Sequence, residues 1–91
     1  MKKTILVNVI RENIRKGVPR TLGKCPVALA VRRATGQRAY IDEEEWSLDD
    51  GLCGDHSRSV QRFIKRLDAG KSVKPFSFFL KLATNRRTIG G

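Results

Sequence analysis

Along residues 4–10 the positions alternate, with Ile5, Val7 and Val9 on one side and Leu6, Asn8 and Ile10 on the other. A period of two with three β-branched residues on one face predicts a strand. Residues 11–16 read as a short helical turn with Gly17 as its C′ residue, followed by a basic loop over 18–24 that contains Pro19 and Gly23. Cys25-Pro26 opens the next element, because proline suits the first helical position, where its missing N–H costs nothing. Val27, Ala28, Leu29, Ala30, Val31 and Ala34 are apolar almost all round, which predicts a short helix buried on most sides and ended by Gly36.

Residues 38–42 predict a second strand, and Trp46 and Leu48 belong to a third strand or to a loop packed on the core. Asp49-Asp50-Gly51 and Gly54-Asp55 are turn signals. Asp55 or Ser57 then caps a second helix whose Val60, Phe63, Ile64 and Leu67 follow the i, i+3, i+4, i+7 spacing, and Gly70 closes it. Alternation returns over 73–82, with Phe76, Phe78, Leu80 and Leu82 sharing a face. Pro75, lacking a ladder donor, belongs near that strand's start or on an edge. Residues 84–91 read as a flexible basic tail. The order strand, helix, strand or strands, helix, strand predicts an α+β fold: a small, mainly antiparallel sheet with two helices packed on one face, in a single domain over residues 1–83.

Charge changes this picture most. The chain has 91 residues and a net charge of +10. Six of its nine acids (Asp42, Glu43, Glu44, Glu45, Asp49 and Asp50) lie within residues 42–50, so the rest of the chain sets all 19 Lys and Arg against three acids. Such an excess repels itself unless an anionic partner relieves it, and nucleic acid is the commonest. No apolar run approaches the ~20 residues that span a bilayer. Two cysteines are too few for a disulfide scaffold, and with no export signal a reduced cytoplasmic setting is expected.

Three basic clusters are the candidate anion-binding residues. Arg58, Arg62, Lys65 and Arg66 line the outer face of the second helix. Arg32, Arg33 and Arg38 surround the end of the first. Lys16, Arg20 and Lys24 lie in or beside the loop before it, next to a helix N-terminus whose free N–H groups favour anions. A nucleic acid or a phosphorylated nucleotide is the partner these clusters suit.

The remaining chemistry is thinner. Cys25 sits where a thiol pKa can fall, at a helix N-terminus beside Lys24, but its helix is apolar and a core role fits it better. Cys53-x-x-His56 has the spacing of two zinc ligands, with Cys25 a conceivable third and no evident fourth. The acidic run offers carboxylates with no nucleophile placed beside them. It also offers a surface for the basic helix of a second copy, and so a possible homo-oligomer. Tyr40, Trp46 and Phe79 are aromatics outside the obvious core faces. With no phosphate-binding loop, dinucleotide or hydrolase motif present, a non-catalytic protein without cofactor or metal is expected.

Two blocks carry a resemblance. Cys25-Pro26-Val27-Ala28-Leu29-Ala30 resembles the CP-[IV]-A-x-A block of a family of small bacteriophage- and prophage-encoded proteins. Phe63-Ile64-x-x-Leu67-Asp68-x-Gly70 followed by Val73-x-Pro75-Phe76-x-Phe78 resembles that family's second block. The resemblance implies a phage or prophage origin and an accessory role in the host cytoplasm. It brings no functional residues. It also admits a second expectation, an inhibitor that binds a host or anti-phage defence protein.

Overall fold

The alternation at the start of the chain is realised in three dimensions: Val7 and Val9 are sealed in the core, whereas Thr4, Leu6 and Asn8 face outward. The structure is a computed structural model that describes residues 3–82. Its elements run β1 (Lys3–Val9), α1 (Arg11–Lys16), α2 (Pro26–Thr35), β2 (Ala39–Ile41), β3 (Glu45–Leu48), β4 (Cys53–Asp55), α3 (Arg58–Asp68) and β5 (Phe76–Leu82). The tail expected over 84–91 lies outside the described residues.

The α+β class is observed, with the strands divided between two antiparallel sheets rather than gathered in one. β1 pairs with β5, the last strand, in a ladder from Lys3↔Leu82 to Val9↔Phe76. β2, β3 and β4 form a separate meander. The period-two signal marks each strand but carries nothing about which strand is its neighbour, so this division was not legible locally. β4 occupies residues read as a turn. Gly54 faces Trp46 across the β3–β4 ladder, and the bare glycine backbone leaves room for the indole.

Helix ends fall near their sequence signals, although Ser57, at the N-cap of α3, makes no side-chain capping bond and Gly17 serves for a different reason. Pro26 is the first helical residue of α2, and the Cys25 sulfur accepts the Ala28 N–H at 3.4 Å. Gly36 ends α2 in the left-handed conformation at φ +75°. Gly17 instead is extended, with φ −70° and ψ 149°. It must be glycine because a Cβ there would lie 2.6 Å from the Pro26 ring and 2.7 Å from the Asn13 carbonyl oxygen. The end of α1 is thereby pressed against the start of α2. At the other end of α1 the buried Asn13 accepts the Ile10 N–H at 3.0 Å.

One core joins both sheets. Val27, Ala28, Ala30 and Val31 of α2 meet Val7 and Val9, Ala39 and Ile41, Trp46 and Leu48, Val60, Phe63 and Ile64, and Phe78 and Leu80. Among the described residues no helix is long and apolar enough to cross a membrane.

Trp46 is the single tryptophan and is 4% exposed, so it reports on this packing. In Gly54→Val the new Cβ would meet the indole at 2.9 Å, and the ring must move. The expected cost is about 1–3 kcal/mol of stability, read as an earlier denaturation midpoint and a red-shifted native emission. An unchanged midpoint and spectrum would overturn the packing described.

Candidate anion-binding surface

On α3 each residue turns the helix by ~100°, which sets Val60, Phe63, Ile64 and Leu67 on one side and Arg58, Arg62, Lys65 and Arg66 on the other. The apolar set packs on the core and the four cations are exposed, as their spacing predicts. Arg66 donates to the Ser72 carbonyl at 3.1 Å. The side chains of Arg58, Arg62 and Lys65 make no hydrogen bond or ion pair with any described residue. The one acid on α3, Asp68, is half-buried at the helix end and is engaged elsewhere.

Its partner is Arg20. The Arg20 amide donates to Asp68 Oδ1 at 3.2 Å, and its guanidinium donates to the Asp68 carbonyl from Nε at 3.1 Å and from a terminal nitrogen at 2.5 Å. Arg20 therefore satisfies an end carbonyl of α3. It does so with φ at +62°, a conformation unusual for a residue other than glycine. Arg33 is similarly committed, donating to the Asn8 carbonyl at 2.7 Å and tying α2 to the end of β1. These two candidate anion-binding residues are bound within the fold.

Four others are brought together. Lys16 from α1, Lys24 from the following loop, Arg32 from α2 and Arg38 before β2 line a concavity of ≈520 Å³, along with Val18, Gly23, Leu29, Ala39 and Tyr40. No carboxylate is in that lining. Lys16 pairs with Glu12 at 2.8 Å in an exposed i, i+4 contact, of a kind worth about 0.3–0.5 kcal/mol. Tyr40 is 39% exposed, and its hydroxyl donates to Asp49 Oδ1 at 3.0 Å from outside the lining. The loop is held in place by Val18 N–H to the Lys24 carbonyl and by Ile41 N–H to the Leu22 carbonyl, both 2.8 Å. Sequence reading named the four cations in two separate clusters and Tyr40 apart from them. Their meeting depends on four chain segments, and no local spacing signals it.

The acidic run is divided by β3 into two turns. Asp42 Oδ1 accepts the amides of Glu44 and Glu45 at 2.8 and 2.6 Å before the strand. After it, Asp50 accepts the Leu52 amide at 2.9 Å and the Gln37 side-chain amide at 3.1 Å. Bonds from the Glu45 and Glu44 amides hold the Asp42 carboxyl below the usual range. Asp42 and Asp50 thus shape the two turns at opposite ends of β3.

Cys25 is a core residue at 6% exposure, and burial pushes its thiol pKa up, opposite to the effect of a helix N-terminus. It lines a cavity different from the one between β4 and β5 lined by Cys53 and His56. Among the described residues no group of three or more His, Cys, Asp or Glu is arranged to hold a metal. His56 has a structural role that its sequence did not announce. Its Nε2 lies 3.0 Å from the Asp42 carbonyl oxygen, which only accepts, so the ring proton sits on Nε2. Nδ1 is buried with no partner among the described residues.

Charging His56 would add an unpartnered buried N–H, and burial accordingly lowers its pKa from 6.5 despite the opposing pull of Asp42. The unfolded chain then binds this proton more readily than the folded one. Stability from this group is complete above pH 6.5 and declines as pH falls through 6.5 toward the lower folded value. The chain has one histidine, so a single imidazole resonance should titrate with a midpoint below 6.5. A midpoint at or above 6.5 would overturn this assignment of the ring.

No family model, curated protein or solved structure matches the chain, so the geometry of its surfaces has to carry the functional argument.

Proposed function

We propose that this chain is a non-catalytic accessory protein of phage type that binds an anionic partner, nucleic acid or a phosphorylated nucleotide, and that the outer face of α3 grips it. The observation that carries this reading is the single-signed α3 face. Arg58, Arg62 and Lys65 stand exposed with no described counter-charge, opposite a fully apolar core face. Cations left unpaired in this way release condensed counterions when they meet phosphates, which gives both affinity and a steep salt dependence. Arginine adds a planar donor fork that matches phosphate oxygens.

A second reading has its own observation. Leu6 and Phe79 face one another across the β1–β5 ladder and are 50% and 68% exposed. An apolar pair of this kind on the outer face of a two-stranded ribbon suits a protein partner. It fits an inhibitor of a host or anti-phage defence protein, with the basic surface steering the encounter. Salt separates the two, because phosphate contacts weaken steeply with ionic strength and a packed apolar interface weakens much less.

Replacing Arg62 and Arg66 together by Glu should strongly weaken binding of a labelled DNA duplex, measured by fluorescence anisotropy across a salt series. The slope of log affinity against log salt should fall by roughly two, about one for each lost phosphate contact. The denaturation midpoint should stay close to the parent's, since exposed substitutions typically change stability by about 0.5 kcal/mol or less. Binding as tight as the parent's in the double variant would remove α3 from the interface.

A further inference from the structure

We infer that the concavity between α1, α2 and β2 takes a nucleobase together with its phosphate, with Tyr40 as the stacking surface and Lys24, Arg32 and Arg38 as the phosphate partners. This inference rests on the polyanion reading above and names the part of the ligand that the concavity recognises.

The α3 face has no aromatic side chain among its cations, so it can hold a sugar–phosphate backbone but offers a base no ring to stack on. The concavity is different in kind. At ≈520 Å³ it falls within the ~300–1,000 Å³ typical of small-ligand clefts. Val18, Leu29 and Ala39 give it apolar surface, Tyr40 gives it a ring, and Lys16, Lys24, Arg32 and Arg38 supply charge. A heparin-like or purely inorganic polyanion would have no use for the apolar part, and an apolar ligand would have none for the cations. A phosphorylated nucleoside uses both.

The ring is presented on a fixed support. Tyr40 lies in β2, paired with Ser47 of β3, and the bond to Asp49 anchors its hydroxyl end. An aromatic already held in place loses little freedom when a base stacks on it. Arg32 and Arg38 donate from their guanidinium groups to no described residue, so both forks are available, in contrast to those of Arg20 and Arg33.

Gly23 supports the same conclusion. Its backbone is not in the left-handed region, and a Cβ there would meet Tyr40 Cδ1 and Cε1 at 3.9 Å, an ordinary contact. Backbone geometry and packing therefore do not demand glycine at this position, as they do at Gly17. The effect of having no side chain at Gly23 is that the space beside the Tyr40 ring stays open.

The test measures anisotropy of a short fluorescein-labelled oligothymidylate. Inorganic polyphosphate and AMP serve as unlabelled competitors, and the proteins are the parent, Tyr40→Ala, Tyr40→Phe and Gly23→Leu. Tyr40→Ala should weaken oligothymidylate binding about ten- to a hundredfold, the usual worth of one stacked base. Polyphosphate binding should be unchanged, and Tyr40→Phe, which keeps the ring and loses only the anchor at Asp49, should bind far closer to the parent than Tyr40→Ala does. Gly23→Leu keeps the charge and the ring but fills the space beside it, and should weaken oligothymidylate binding in the same selective way. Competition by AMP that also depends on Tyr40 would assign a free nucleotide as ligand. Binding of the oligomer without competition by AMP would assign a segment of single strand. The inference is overturned if Tyr40→Ala and Gly23→Leu bind oligothymidylate like the parent, or if they lose polyphosphate to the same degree. A parent that binds polyphosphate but not oligothymidylate overturns this inference and leaves the polyanion reading standing, whereas a parent that binds neither probe at low salt removes both.

Discussion

Neither sheet of this protein has enough partners of its own to be stable, and both depend on α2. β1 and β5 make a two-stranded ribbon, and such a ribbon is marginal in water by itself. The β2–β3–β4 meander has strands of only three or four residues. The core runs from one sheet to the other through Val27, Ala28, Ala30 and Val31, each at most 1% exposed. The two alanines matter as much as the valines, since small side chains permit close approach on more than one side of the helix. Loss of packing along α2 would therefore be felt in both sheets at once. The Gly17 contact extends the same dependence to α1, whose last turn is seated on the Pro26 ring.

This arrangement explains why the charged loop before α2 has a defined shape. Residues 18–24 are bonded to themselves through Val18 and Lys24, to β2 through Leu22, and to the end of α3 through Arg20. Each of those neighbours packs on the core that α2 organises. The loop can then hold Lys24 and Gly23 opposite Arg32, Arg38 and Tyr40 without secondary structure of its own. A rigid scaffold that fixes a variable loop is a common way to build a binding surface.

How much of this was legible in the sequence follows the range of each interaction. The faces of β1 and β5, the apolar side of α3, the opening of α2 at Pro26 and its close at Gly36 depend on residues within a turn or two, and all were readable. The pairing of β1 with β5 depends on residues far apart in the chain, from Val9 with Phe76 to Lys3 with Leu82, and no local period encodes it. Gly17 was legible as a helix terminator but not as a contact, because its neighbour Pro26 comes close only once both helices are placed. Among the candidate site residues, the exposed face of α3 could be read directly. The diversion of Arg20 and Arg33 to backbone carbonyls could not, since an arginine in sequence shows its charge and not its partner.

That diversion also bears on what a net charge of +10 means. Arg20 works as a cap for a helix end and Arg33 as a clamp between α2 and β1, so their charges answer to the fold. The acids, for their part, are used in turns: Asp42 and Asp50 accept backbone amides at the two hairpins that flank β3, and Asp68 is bound by Arg20. Those three carboxylates are thereby taken up in backbone bonds. Among the described residues, cations are gathered in two places, along the exposed face of α3 and around Tyr40. The first is an open convex face and the second a recess with an aromatic wall. In the reading proposed above, an extended polyanion would lie along the former by electrostatics, while the latter would distinguish ligands by whether they carry a base. That division would assign affinity and selectivity to different residues of one small fold.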